Sequence, residues 1–160
     1  MITQEENQLL LIDLCARSPY GVICQFIWTY SDETTGGKSV TAKEDDNIRC
    51  IDIHTKEIQA DYYGEWVDLE HCKPYLRLMS SMTEEEAVEI DSMGFAYWTT
   101  MINNDLRSRG PMSLLDAIIT HHRMVKLIDW LNAHHFDYRG LIEKGLAIEA
   151  PEGMYKIKEK

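Results

Sequence analysis

Between Gln8 and Cys15 the chain carries Leu9, Leu10, Leu11, Ile12 and Leu14, and just ahead of that run Thr3 and Glu6 stand at capping-box spacing. The pattern predicts a helix ending near Arg17. Ser18-Pro19-Tyr20-Gly21 stops it, because proline keeps the preceding residue out of the helical region and glycine frees the turn. Val22, Cys24, Phe26, Trp28 and Tyr30 then alternate with Ile23, Gln25, Ile27 and Thr29, a period of two with one wholly apolar face. A well-buried strand is expected there. Ser31 to Asp46 holds Asp32, Glu33, Glu44, Asp45 and Asp46 around Gly36-Gly37, the composition of a solvated excursion or a long hairpin tip.

Asn47 to Ile53 and Glu57 to Tyr63 read as two short strands about a turn at His54-Thr55-Lys56, with Ile58, Ala60 and Tyr62 on one face of the second. Glu65 to Leu69 supplies a fourth, ending before Pro74. Short strands joined by short loops imply an antiparallel meander, open or closed into a barrel, since parallel pairing needs crossover helices. From Ser80 to Glu86 hydroxyls followed by carboxylates mark a helix start running into Ala87, Val88 and Ile90. Phe95 to Gly110 has no clean period, and helix with unfixed ends is expected.

The richest stretch is DWLNAHHFDYRGLIEKGLA, residues 129 to 147. A helix starting at a Ser113 cap, with Leu114, Ile118 and Val125 on one stripe and Leu115 and Ile119 at its edge, should stop at His134-His135. Met124, Val125, Leu127, Ile128, Trp130 and Leu131 point almost all round, so its end is expected to be central. Asp137 is placed to cap a second, shorter helix closed by Gly145, with Phe136, Tyr138, Leu141, Ile142, Leu146 and Ile148 as the returning half of the core. The fold class is therefore α+β: an N-terminal helix, a small antiparallel meander and a C-terminal helical half. One domain spans 1–160, with lobes at 1–79 and 80–160.

Charge narrows the partners. Sixteen basic against 27 acidic side chains give a formal net charge of −11, which opposes binding to phosphate backbones. At 160 residues the chain can bury roughly 70% of its unfolded surface, enough to fold without a metal or disulfide. Cys15, Cys24, Cys50 and Cys72 are widely spaced and read as reduced thiols. With no basic segment leading into an apolar one at the amino terminus, a cytoplasmic location is expected. No apolar run approaches the roughly 18 residues that cross a bilayer.

Candidate chemistry is sparse. Gly36-Gly37-Lys38-Ser39 has the ending of a phosphate loop, but Asp32 occupies the position of the first glycine and no amphipathic helix follows. On one continuous helix His121 and His135 would lie about 40° apart in azimuth and roughly 21 Å apart along the axis, too far to share an ion. His122 is expected half-buried, and His134 and His135 are expected to bond carbonyls at the helix end, where imidazolium is favoured. Cys50, His54, His71 and Cys72 form a second conceivable ligand set, weakened because adjacent strand residues face opposite ways. Asp129 is assigned to Arg139 or Arg123, and Arg139, between Tyr138 and Gly140, also suits a ligand carboxylate. Tyr20 and Tyr75, beside prolines, mark a binding edge between the two halves. The binding candidates are thus His134, His135, Asp137, Tyr138, Arg139, Tyr20 and Tyr75, with no catalytic residue, metal or cofactor assigned.

Three stretches, DLCARSPYGV at 13–22, KPYLRLMSSMTEEE at 73–86 and residues 129–147 with Glu152-Gly153-Met154-Tyr155, carry a family resemblance over less than half the chain. The chain resembles a family of small uncharacterised proteins of gut anaerobes, often encoded near prophage or other mobile-element genes. Leu78 stands where that family's pattern has proline, which touches only a local turn. The resemblance implies a mobile-element context and carries no catalytic residues. The reading is a non-enzymatic accessory protein with an unidentified protein partner, no direct nucleic-acid contact and no membrane; its oligomeric state is open. Two alternatives stand beside it: a small metal-dependent or small-molecule enzyme using the C-terminal histidines, and an acidic mimic of DNA that inhibits a host protein.

Overall fold

A computed structural model describes residues 2–32, 34, 38–62, 64, 66–95 and 114–155. The first helix, α1 (Gln4–Arg17), starts where the capping box puts it, with the Thr3 hydroxyl accepting from the Glu6 amide and the Glu6 carboxylate from the Thr3 amide. A short 3₁₀ turn, Ser18–Tyr20, follows, and Gly21 at φ 70° redirects the chain into β1 (Ile23–Asp32). Val22, Cys24 and Phe26 are fully buried against Leu10 and Leu14 of α1, as the alternation requires. Tyr30, on the same face, is exposed, so that face dries out towards the tip.

The acidic excursion is a strand. Residues Lys38–Asp52 form β2, paired antiparallel to β1 along its whole length from Ile23↔Asn47 to Asp32↔Lys38. Val40, Ala42, Glu44, Asp46 and Ile48 are half-buried while Thr41, Lys43, Asp45 and Asn47 are exposed. The backbone groups of a ten-residue β1 need partners, and that need outweighs the low strand propensity of the carboxylates. The Lys38-Ser39 pair thus begins a strand, which rules out the helix that a phosphate loop would open; Gly36 and Gly37 lie outside the described residues.

Asp52 accepts from the amides of His54 and Thr55, and Lys56 at φ 60° completes the turn into β3 (Glu57–Ala60). Ile58 and Ala60 are buried as expected, but Tyr62 is 85% exposed because β3 ends at Ala60 and the chain turns away. After β4 (Trp66–Asp68), a 3₁₀ turn at Leu69–His71 leads to β5 (Cys72–Leu76), a strand that Pro74 conceals in the sequence. β5 pairs with β1 through Cys24↔Pro74 and Phe26↔Cys72.

Thr83 caps α2 (Glu84–Ile90) in a second capping box with Glu86. A π turn at Asp91–Phe95 follows; residues 96–110 of the segment without clean period, and the Ser113 cap, lie outside the described residues. Helix α3 (Leu114–Ala133) stops at the paired histidines, with His135 at φ 58° in the left-handed region. Its end is not central: Trp130 and Leu131 are buried, but Met124, Val125 and Ile128 are exposed, as are His121 and His122. Among the described residues no second helix follows. Residues 138–145 make turns, and the pair of bonds Leu146 N to Leu141 O and Gly145 N to Ile142 O closes them around Gly145 at φ 69°.

The last strand, β6 (Ile148–Glu149), lies parallel to β5 and completes an open sheet of order β4-β3-β2-β1-β5-β6, not a barrel. The fold is α+β, as the sequence pattern indicates. One core lies between α1 and the sheet, a second joins Leu76 to Leu141, Leu146 and Ala147, and a third gathers Trp130, Leu131 and Phe136. Among the described residues no helix is long and apolar enough to cross a membrane.

Candidate functional site

Residues 135–139 converge on α1. Leu10, Asp13, Leu14 and Arg17 occupy one helical stripe, so an ion pair is carried into the interior beside the leucines. Both side chains are 0% exposed; Arg17 Nε donates to Asp13 Oδ2 at 2.7 Å and Nη2 to Oδ1 at 3.1 Å. The same Nη2 donates to the Phe136 carbonyl at 2.8 Å, so α1 is tied to the far end of the chain. Arg139 Nε sits 3.2 Å from Asp13 Oδ1, close enough for an ion pair although its N–H is poorly aimed for a hydrogen bond. Its partner is therefore Asp13, not Asp129. Tyr138 lies under both guanidiniums, 5.5 Å from Arg17 and 4.9 Å from Arg139, and its hydroxyl donates to Asn132 Oδ1 at 3.0 Å.

Asp137 has no helix to cap, but its two oxygens accept from the Leu141 and Ile142 amides at 2.9 and 2.8 Å. His134 behaves as expected: Nδ1 lies 2.9 Å from the Trp130 carbonyl and the ring stacks on Trp130 at 3.8 Å. His135 does not. It is only 4% exposed, stacked at 3.8 Å on Tyr155, and burial together with the Arg17, His134 and Arg77 charges pushes its pKa down to about 4. The interior holds it as neutral imidazole, since a second cation beside Arg17 would be buried without a counterion.

Tyr155 is the anchor that sequence reasoning missed. Its hydroxyl accepts from the Ile23 amide at 3.1 Å and donates to the Tyr75 carbonyl at 2.8 Å, which fixes the tail to β1 and β5. Tyr75 is buried, with its own hydroxyl receiving from Gln25 and donating to Asp45. Tyr20 is exposed, so the two tyrosines do not form a shared aromatic edge. Cys24 and Cys72 are buried next to each other, and burial pushes the Cys24 thiol up; His71 ends the 3₁₀ turn and is exposed, whereas Cys72 opens β5 and is buried. Among the described residues no three His, Cys, Asp or Glu side chains gather in a metal-binding group.

Next to this buried network lies an open cleft of about 740 Å³ lined by Arg77, Thr83, Glu86, Glu149, Glu152 and Tyr155, among others. Arg77 and Glu86 form its base in a two-point pair, Nη1 to Oε1 at 2.6 Å and Nη2 to Oε2 at 2.9 Å, with the guanidinium 4.2 Å over Phe136. Burial works to raise the Glu86 pKa, but the Arg77 bonds and the Thr83 amide outweigh it and hold the carboxyl below its usual range. The sequence reading takes Glu86 as one of the first-turn carboxylates of a helix start; it includes neither the capping box with Thr83 nor the pair with Arg77, nine residues back in the chain. Arg77 also pairs through its backbone, donating to the His135 carbonyl and accepting from the Asp137 amide, both at 2.8 Å. The cleft and the 129–147 stretch are thus one assembly. Comparison with protein-family models, with curated proteins and with solved structures found no match.

Proposed function

We propose that this chain is a non-enzymatic interaction protein that serves a mobile genetic element. The observation that carries the reading is how the polar groups of the 129–147 stretch are engaged. Asp137 spends both oxygens on backbone amides, His134 binds a carbonyl, Tyr138 binds Asn132 and Arg139 faces Asp13. A general acid or base works through a free lone pair or proton facing a substrate, and these groups are turned to the protein's own backbone and side chains instead. The cleft offers a surface with Arg77 and Glu86 already paired at its base. The mobile-element context is supported by the resemblance of residues 13–22, 73–86 and 129–147.

Acidic groups lie in the first turns of α1 and α2, along β2 and at Glu149 and Glu152, and so are spread over several elements. That distribution favours a protein partner over mimicry of a DNA backbone. Elemental analysis of the purified full chain tests the reading: substoichiometric zinc and iron is expected, whereas one equivalent of either, retained through dialysis, would overturn it in favour of a metal enzyme. The genes flanking its own provide the second test, since a neighbourhood without mobile-element functions removes the context.

A further inference from the structure

β6 is the outermost strand beside β5. Tyr75↔Ile148 and Leu76↔Glu149 are in parallel register, and the Ala150 amide donates to the Leu76 carbonyl at 2.8 Å. In a parallel ladder alternate residues turn both backbone groups to the same neighbour. With Ala150 turned to β5, Glu149 between it and Ile148 directs its N–H and C=O to the open side. Pro151 has no amide hydrogen, so the edge available for pairing is short and ends there.

The cleft is lined by residues 149–153 of this edge and the turn after it, by Tyr155, and by Arg77, Ser81, Thr83 and Glu86. Its volume, about 740 Å³, is within the roughly 300–1,000 Å³ of sites that enclose a ligand. Arg77 and Glu86 neutralise one another, which leaves the carboxylates of Glu149 and Glu152, both exposed, as the uncompensated charge of the lining. The chain's net charge of −11 reinforces that sign. An open strand edge recognises main chain, and an acidic wall recognises lysine or arginine side chains.

We infer that the cleft beside β6 takes an extended basic segment of a partner protein, whose backbone pairs with Glu149 and whose cationic side chains face Glu149 and Glu152. This deepens the interaction reading above by naming the chemistry of the partner. A free polyamine satisfies the charge but has no use for the strand edge; a strand of alternating lysine and valine satisfies both.

The test is fluorescence anisotropy of the full chain with a labelled alternating Lys-Val peptide. Binding is expected, lost for the alternating Glu-Val peptide and weakened by added salt. The paired variant Glu149→Gln with Glu152→Gln should weaken it about fivefold to tenfold. Glu84→Gln with Glu85→Gln makes the same charge change on exposed residues of α2 outside the cleft, and should weaken it less than about twofold. Methylating alternate peptide amides should cost at least about fivefold, because the strand pairing is removed while the charge is kept. Equal weakening by the two paired variants, indifference to amide methylation, equal affinity for spermine, or no binding at all would each overturn the inference. Any of these leaves the non-enzymatic reading with a different partner class, whereas an equivalent of bound metal ends that reading whatever the peptide does.

Discussion

Replacing Asp13 by leucine leaves the Arg17 guanidinium buried without its carboxylate. Both side chains are 0% exposed and joined at 2.7 and 3.1 Å, so no water can take over. Breaking one partner of such a buried pair costs about 3–5 kcal/mol, most of it the penalty of a stranded charge. Arg139 loses the same carboxylate, but at 26% exposure it turns to solvent and adds under about 1 kcal/mol. The pair Asp13→Leu with Arg17→Met removes both desolvated charges together, and what remains is the Phe136 carbonyl without its donor, about 1–3 kcal/mol. Asp13→Leu alone is therefore expected to lose about 4 kcal/mol and the double variant only about 2. In urea, with a slope near 2 kcal/mol/M, the single variant shifts the unfolding midpoint down by about 2 M and the double by about 1 M. Far-ultraviolet circular dichroism and tryptophan fluorescence, which sums over four tryptophans with Trp130 of the third core among them, should give the same midpoints. A single-variant shift below about 0.5 M, or costs that simply add, would refute the buried-pair argument.

His135 makes stability depend on pH. Its folded pKa of about 4 lies below the ordinary 6.5, so between these values the unfolded chain binds the proton first and stability falls on acidification. The loss from pH 7 to 4.5 attributable to His135 is about 2–3 kcal/mol; the slope fades above about pH 7.5, where both states are deprotonated. His135→Asn, which tolerates the positive φ, should flatten that window, and identical pH profiles for the two proteins would contradict a buried neutral imidazole. Tyr155→Phe removes the bonds to Ile23 and Tyr75 and should cost about 1–2 kcal/mol, seen as faster amide exchange at Ile23 and through residues 148–155. Gly145→Ala meets no atom within 4 Å, so its cost is backbone strain alone, about 1–2 kcal/mol, read as a lower thermal midpoint; a higher one would contradict the left-handed turn.

What could be read in advance was local. The capping box at Thr3, the run of hydroxyls and carboxylates that starts α2, the Gly21 and Gly145 turns, and the buried alternation of β1 each depend on residues within one turn or one strand of each other. The errors fall where a distant partner decides. β2 is a strand because β1 lies alongside, and β5 is one despite Pro74 because β1's other edge required pairing. Asp137 was rightly marked as an acceptor of backbone amides, but those amides belong to turns and not to a helix. The Asp13–Arg17 pair has i, i+4 spacing on the leucine stripe, a local signal that the sequence reading left unused; its bond to Phe136, 119 residues away, has no local signal at all. For the same reason the sequence pointed to the 129–147 stretch as important without revealing that Arg77 and Tyr155 complete it.

The order in which the sheet is assembled differs from the order in which the chain is made. β5 is finished at Leu76, yet the strand that covers it begins only at Ile148, and the tyrosine that pins the tail comes at 155. During synthesis, at roughly 5–20 residues per second, the outer edge of β5 therefore stays uncovered for several seconds while the helical half emerges from the ribosome. Over that interval the nascent protein carries an exposed pairing edge that the finished one keeps closed, which makes a transcript truncated before residue 148 a source of aggregates.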